Sequence, residues 1–125
     1  MPTNAAPLRV LLVDDHPVSR AACRALLRTQ GADVIADVAP GEEAIAIAEA
    51  LWPDVAIVDV TPDDDRGVLI ARRLRGLASA PAVVLTSSAD PSVLDGVLDG
   101  YAFLAKADIC HETILDAVDG DESPT

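Results

Sequence analysis

Lysine is all but missing from these 125 residues: Lys106 is the only one, and every other basic side chain is arginine. A chain that solvates its positive charge with Arg, yet sets one Lys directly after the apolar run Tyr101-Ala102-Phe103-Leu104-Ala105, uses a compact ammonium where a planar fork would not serve. The usual need of that kind is a single phosphate or carboxylate oxygen. Aromatic residues are scarce as well, at 2%, so the core must be built from Ala, Val, Leu and Ile. The two cysteines, Cys23 and Cys110, have neither CxxC nor His-Cys spacing, which argues against a disulfide framework or a thiolate metal site and leaves them as small apolar residues. Basic charge is short overall, 9 residues against 21 acidic ones for a net charge of -12, and this disfavours binding to nucleic acid or to an anionic membrane. No run approaches the ~18 apolar residues of a membrane span. The opening Met-Pro-Thr-Asn-Ala-Ala-Pro lacks the basic start and apolar centre of a secretion signal, so a cytoplasmic protein is expected.

The length suits one domain with a core large enough to need no staples. Apolar runs rich in Val, Ile and Leu recur near 8–13, 33–38, 54–58, 82–86 and 101–105 without clean polar alternation, the pattern of strands buried on both faces of a parallel sheet. Helical periodicity fills the gaps. Pro17 opens a segment that ends at Gly31, Gly41-Glu42-Glu43 opens one that ends at Pro53, and weaker helical patterns run from Gly67 to Leu77, Pro91 to Leu98 and Ile109 to Val118. Five strands alternating with five helices over short connections imply right-handed crossovers and a flavodoxin-like, doubly wound three-layer sandwich with strand order 2-1-3-4-5. The domain is expected over 8–118, with 1–7 and 119–125 as flexible termini.

In such a sheet ligands bind beyond the carboxyl ends of the strands, and strands one and three are neighbours. Asp14 and Asp15 follow the first run, Asp59 the third, Thr86 the fourth and Lys106 the fifth. The three carboxylates are therefore expected to meet in one cleft, where their repulsion either raises a pKa or draws in a cation, and oxygen ligands select a hard ion of the Mg²⁺ kind. A carboxylate can act as a nucleophile toward phosphorus, with Lys106 and the metal offsetting charge on the equatorial oxygens and the Thr86 hydroxyl bonding one of them.

The succession Val13-Asp14-Asp15-His16, Pro53-Asp54-Val55-Ala56-Ile57-Val58-Asp59-Val60, Val84-Leu85-Thr86-Ser87 and Phe103-Leu104-Ala105-Lys106 resembles the receiver domain of two-component response regulators. The resemblance implies that Asp59 accepts a phosphoryl group from a histidine kinase or phosphotransfer protein, with Asp14, Asp15, Asp59 and the Thr61 carbonyl holding Mg²⁺. It implies that Thr86 and Phe103 form the switch pair, that Lys106 pairs with the phosphate, and that the partners are an output protein or a second copy in a homodimer rather than nucleic acid. Lys106-Ala107-Asp108-Ile109 is similar to the branch that usually continues into a helix-turn-helix, which these residues do not contain. The expectation is a receiver that stands alone or has lost its output domain, and that catalyses only its own phosphorylation and dephosphorylation.

Some positions depart from the family pattern. Pro62 comes one residue early, Arg66 stands where an Asp or Asn usually precedes Gly67, and the stretch from Thr86 to Lys106 is about two residues short. These departures motivate a second reading, a receiver that signals without phosphate. A third, a Mg²⁺-dependent phosphohydrolase using Asp59, would need a substrate pocket and a general acid that the sequence does not offer. The acidic run Asp63-Asp64-Asp65 reads as a solvated turn, His16 as a residue beside the cleft with no fixed partner, and Trp52 as packing at the opposite end.

Overall fold

The computed structural model describes residues 6–120, apart from 95, 97 and 99. Five parallel strands, β1 (Arg9–Val13), β2 (Asp33–Val38), β3 (Val55–Asp59), β4 (Ala82–Ser87) and β5 (Ala102–Ala105), stand in the order β2-β1-β3-β4-β5, the order expected of the doubly wound fold. Of the expected flexible termini, 1–5 and 121–125 lie outside the described residues.

Among the described residues there are four α-helices rather than the expected five: α1 (Pro17–Thr29), α2 (Glu42–Leu51), α3 (Arg66–Arg75) and α4 (His111–Gly120). Of the segment expected to be helical over 91–98, the described residues form a 3₁₀ turn at Pro91–Leu94, and 95 and 97 lie outside the described residues. Asp90 favours the start of that turn, because its Oδ1 accepts the Ser92 N–H at 2.9 Å. Two residues past the turn Gly96 takes a φ of 83°, and a left-handed residue ends a right-handed helix. Trp52 likewise ends α2 instead of packing in the core. It sits at φ 51°, its N–H bonds Ala48 O at 3.1 Å, its indole N–H bonds Glu49 O at 3.1 Å, and it remains 63% exposed.

Strand alternation splits the core into two clusters. Leu11 and Val13 of β1, Ala56 and Val58 of β3, and Val83 and Leu85 of β4 pack with Ala44, Ile45 and Ala48 of α2 and Ile70, Ala71 and Leu74 of α3. Val10 and Leu12, Val55 and Ile57, and Val84 face the other way, onto Leu27 of α1 and Ile114 of α4. Each strand is thus apolar on both sides, which is why its sequence reads as a continuous run.

Gly67 ties α3 to the end of β3. A Cβ built there would lie 2.4 Å from the Asp59 carbonyl oxygen and 3.2 Å from Val60 Cγ1, and backbone cannot yield as a flexible side chain can. Gly67→Ala is expected to lower stability by about 2 kcal/mol through forced displacement of α3, measured as the denaturation midpoint. An unchanged midpoint would mean that α3 can slide freely.

Candidate functional site

The same two-residue period decides which polar side chains meet. Val10, Leu12 and Asp14 share a parity on β1, as do Val55, Ile57 and Asp59 on β3, Val84 and Thr86 on β4, and Ala102, Leu104 and Lys106 on β5, and the apolar members of each set belong to the α1/α4 cluster or pack against it. Carried past the last strand bond, the alternation aims Asp14, Asp59, Thr86 and Lys106 at one cleft. The ladder extends to Asp14, whose N–H bonds Val38 O at 2.9 Å.

Within the cleft Lys106 Nζ donates to Asp14 Oδ2 at 3.0 Å and stands 3.2 Å from Asp59 Oδ1. Asp14 and Asp59 are 7% and 6% exposed, so this is a nearly dry cluster of two carboxylates on one ammonium. Two atoms are left without a hydrogen bond, Asp59 Oδ1, which the lysine approaches out of hydrogen-bond alignment, and Thr86 Oγ1. Buried polar atoms of this kind are rare in folded proteins and mark a place where a further group is accommodated.

The two acids are tuned in opposite directions. Burial pushes the Asp59 carboxyl above its ordinary value, helped by the neighbouring Asp14 charge, and Lys106 only partly offsets this. Burial acts on Asp14 in the same sense but is outweighed by hydrogen bonds from the His16 backbone and from Lys106, so Asp14 lies below its ordinary value. One member is a fixed anion and the other is held closer to protonation.

His16 does have fixed partners, contrary to the sequence reading. Its N–H donates to Asp14 Oδ1 at 2.8 Å, and its Nδ1 lies 3.1 Å from that oxygen and 3.3 Å from Asp59 Oδ2. The signal for this contact was Asp14 three residues before the helix start at Pro17, where an Asp side chain accepts the N–H two residues on.

Asp15 lines a small cavity with Asp59 but supplies no atom to the close group formed by Asp14, His16 and Asp59. Its parity sends it away from the α1/α4 side, and its Oδ2 pairs with Arg66 Nη2 at 2.7 Å. Thr61 lies at the mouth, lining a cavity of about 80 Å³ with Asp15, His16, Asp59, Asp64 and Gly67. Asp64 makes the turn expected of the acidic run, accepting the Arg66 N–H at 3.0 Å. Phe103 stands apart, opposite Leu85 in the strand register while Thr86 faces Leu104, and it packs against the α2/α3 cluster. The Thr86 hydroxyl and the Phe103 ring are therefore on opposite sides of the sheet. Tyr101 precedes β5 and lies under the Arg75 guanidinium at 3.9 Å.

Inward of Asp59 a second cavity of about 210 Å³ runs beneath α1, bordered by Leu12, Cys23, Leu26, Ile57 and Ile109. Burial pushes the Cys23 thiol up to about 11, so it behaves as the small apolar residue expected from its spacing. Asp14, His16 and Asp59 each place a ligand atom within 4.8 Å of the others. That mainly carboxylate donor set, with an orphaned Asp59 oxygen, fits a hard divalent cation.

A buried carboxylate pair on a lysine, at the carboxyl ends of a parallel sheet in this strand order, defines a receiver. Consistently, residues 10–108 match the family model for the response regulator receiver domain, and the chain belongs to that family. It is 31% identical over 104 residues to the transcriptional regulatory protein PdtaR of Mycobacterium tuberculosis, covering 82% of this chain and 51% of that protein. It is 32% identical over 121 residues to the nitrate/nitrite response regulator protein NarP of Escherichia coli, covering 92% and 55%. The chain thus spans about half the length of these relatives. Its fold is similar to that of the signal receiver domain of the putative response regulator NarL from Mycobacterium tuberculosis, with a TM-score of 0.73, 30% identity, and 93% and 99% of the two chains covered. No described helix is long and apolar enough to cross a membrane.

Proposed function

We propose that the domain, over residues 8–118, is a phosphoacceptor switch of a two-component phosphorelay, and that Asp59 carries the phosphoryl group. The observation that supports this most directly is the ion pair of a nearly dry Asp59, whose Oδ1 has no hydrogen bond, with the only lysine of the chain at 3.2 Å. An Asp59 oxygen attacks phosphorus of a phosphohistidine on a histidine kinase or phosphotransfer protein. The P–N bond breaks as the P–O bond forms, the electron pair returns to the donor imidazole, and that nitrogen takes a proton from solvent. Asp14, Asp59 and the Thr61 carbonyl would hold Mg²⁺, with Asp15 joining them once freed from Arg66. When bound, the ion offsets the charge of the incoming phosphoryl oxygens. Lys106 turns from the carboxylates onto one phosphoryl oxygen, and the orphaned Thr86 hydroxyl donates to another.

In this reading the domain acts in the cytoplasm by protein contact with an output partner, and its chemistry is confined to itself. Phe103 reads the state of Thr86 through the β4–β5 backbone ladder, since ring and hydroxyl face opposite sides. The test is intact mass after incubation with Mg²⁺ and a small phosphoryl donor: a single phosphoryl addition, prevented by a chelator, is expected. No addition in the presence of Mg²⁺ would instead favour signalling without phosphate, a reading supported by the Arg66 clamp on Asp15.

Thr86→Ala separates binding from switching. The hydroxyl has no hydrogen bond to lose, so stability is expected to stay within about 1 kcal/mol of wild type. The amide chemical-shift changes over 86–106 that follow phosphorylation are expected to shrink. A full response in the variant would remove Thr86 from the switch.

A further inference from the structure

We infer that Arg66 competes with the divalent cation for Asp15 and so sets the cation concentration at which Asp59 becomes reactive. The inference rests on the phosphoacceptor reading above. Arg66 is the first residue of α3, directly before the Gly67 that is wedged beneath the Asp59 carbonyl, so its backbone is fixed relative to the site. Its fork is anchored on Asp64: Nε lies 3.2 and 3.0 Å from the two carboxylate oxygens and Nη2 lies 2.7 Å from Oδ2. The same Nη2 reaches across the mouth to Asp15 Oδ2 at 2.7 Å. Asp15, Asp59, Thr61 and Asp64 line one small cavity, so an oxygen engaged by Arg66 is an oxygen withheld from a cation held there. A planar guanidinium can bridge two carboxylates in this way, and a point charge cannot.

The clamp sets a threshold and does not block the site. Arg66 and Asp15 have side chains that are 51% and 47% exposed, so solvent screens the pair and a cation at higher concentration displaces it. Removing the guanidinium frees Asp15 and removes a positive charge at the mouth. Together these changes are expected to tighten cation binding about fivefold.

The experiment is a Mg²⁺ titration of the full chain followed by amide chemical shifts, for wild type, Arg66→Gln, Arg66→Lys and Arg28→Gln. Arg28 lies in the last turn of α1 and is exposed, so its substitution makes the same charge change far from the site. Arg66→Gln is expected to lower the Mg²⁺ Kd about fivefold, Arg66→Lys less, and Arg28→Gln by under about twofold. Phosphorylation followed by mass should be faster for Arg66→Gln at low Mg²⁺, with the two rates converging at saturation. Equal affinity in wild type and Arg66→Gln, or an equal gain from Arg28→Gln, overturns the role of Arg66 while leaving the metal reading intact. Failure of every protein to bind Mg²⁺ overturns both.

Discussion

Asp59→Asn is expected to gain no phosphoryl mass under conditions that modify the wild type fully, and to unfold at a higher temperature at neutral pH. The first outcome follows from chemistry, because a neutral amide has no carboxylate oxygen with which to attack phosphorus. The second follows from electrostatics and identifies the same residue independently. Asp59 is 6% exposed and its carboxyl is held above its ordinary value by burial, then by the Asp14 charge, against the opposing pull of Lys106. A group whose folded value is raised stabilises the native state below its unfolded value and loses that contribution as pH rises through the folded value. At neutral pH the ionised carboxylate is therefore a net cost, and the amide relieves it by about 1 kcal/mol, or roughly 4 °C for a domain of this size. The gap between variant and wild type should close as pH falls through the carboxylate range. If Asp59→Asn is modified as fully as the wild type, Asp59 is not the acceptor. A gap of constant size at every pH would show that ionisation of Asp59 is not its source.

The fold was legible because each strand carries apolar residues at both parities, which only a sheet covered on both faces requires, and because Pro17, Gly31, Gly41 and Pro53 mark helix limits. Asp14, Asp59, Thr86 and Lys106 were legible for a related reason: each falls at or just past a strand end, on the side shared by Leu12, Ile57, Val84 and Leu104. Asp15 follows Asp14 past the end of β1, where the alternation turns it to the other side, and it still lines one small cavity with Asp59. Among the described residues the helix expected over 91–98 failed for want of a local signal, since a glycine in a helical pattern reads as tolerable until its φ is known, and Gly96 takes 83°. The Arg66 contacts lie further from the reach of sequence. They join residues 51 positions apart through a side chain whose direction depends on how α3 seats against β3.

Lys106→Met is expected to cost about 2 kcal/mol of stability at neutral pH, because it leaves two buried carboxylates with no ammonium between them. The loss should be pH-dependent with a definite sign. Asp14 lies below its ordinary value, with burial opposing and the His16 backbone and Lys106 together prevailing. A depressed carboxyl contributes stability that is present above its unfolded value and lost as pH falls through its folded value. The penalty of the substitution should therefore be largest near neutrality and fade in acid as the carboxyls take up protons, as followed by thermal unfolding across pH. Lys106→Arg tests a different property. It keeps the charge, and its stability should lie close to wild type, yet the planar fork is bulkier than the ammonium that stands 3.0 Å from Asp14 and 3.2 Å from Asp59. Transfer of the cation from the carboxylates to one phosphoryl oxygen needs a compact donor on a flexible stem. Phosphorylation of Lys106→Arg, or the shift response that follows it, should fall at least about tenfold, a change of about 1.4 kcal/mol in the barrier or the switching equilibrium. Wild-type rates and responses in Lys106→Arg, with Lys106→Met impaired, would mean that the site needs only positive charge and that lysine itself is incidental.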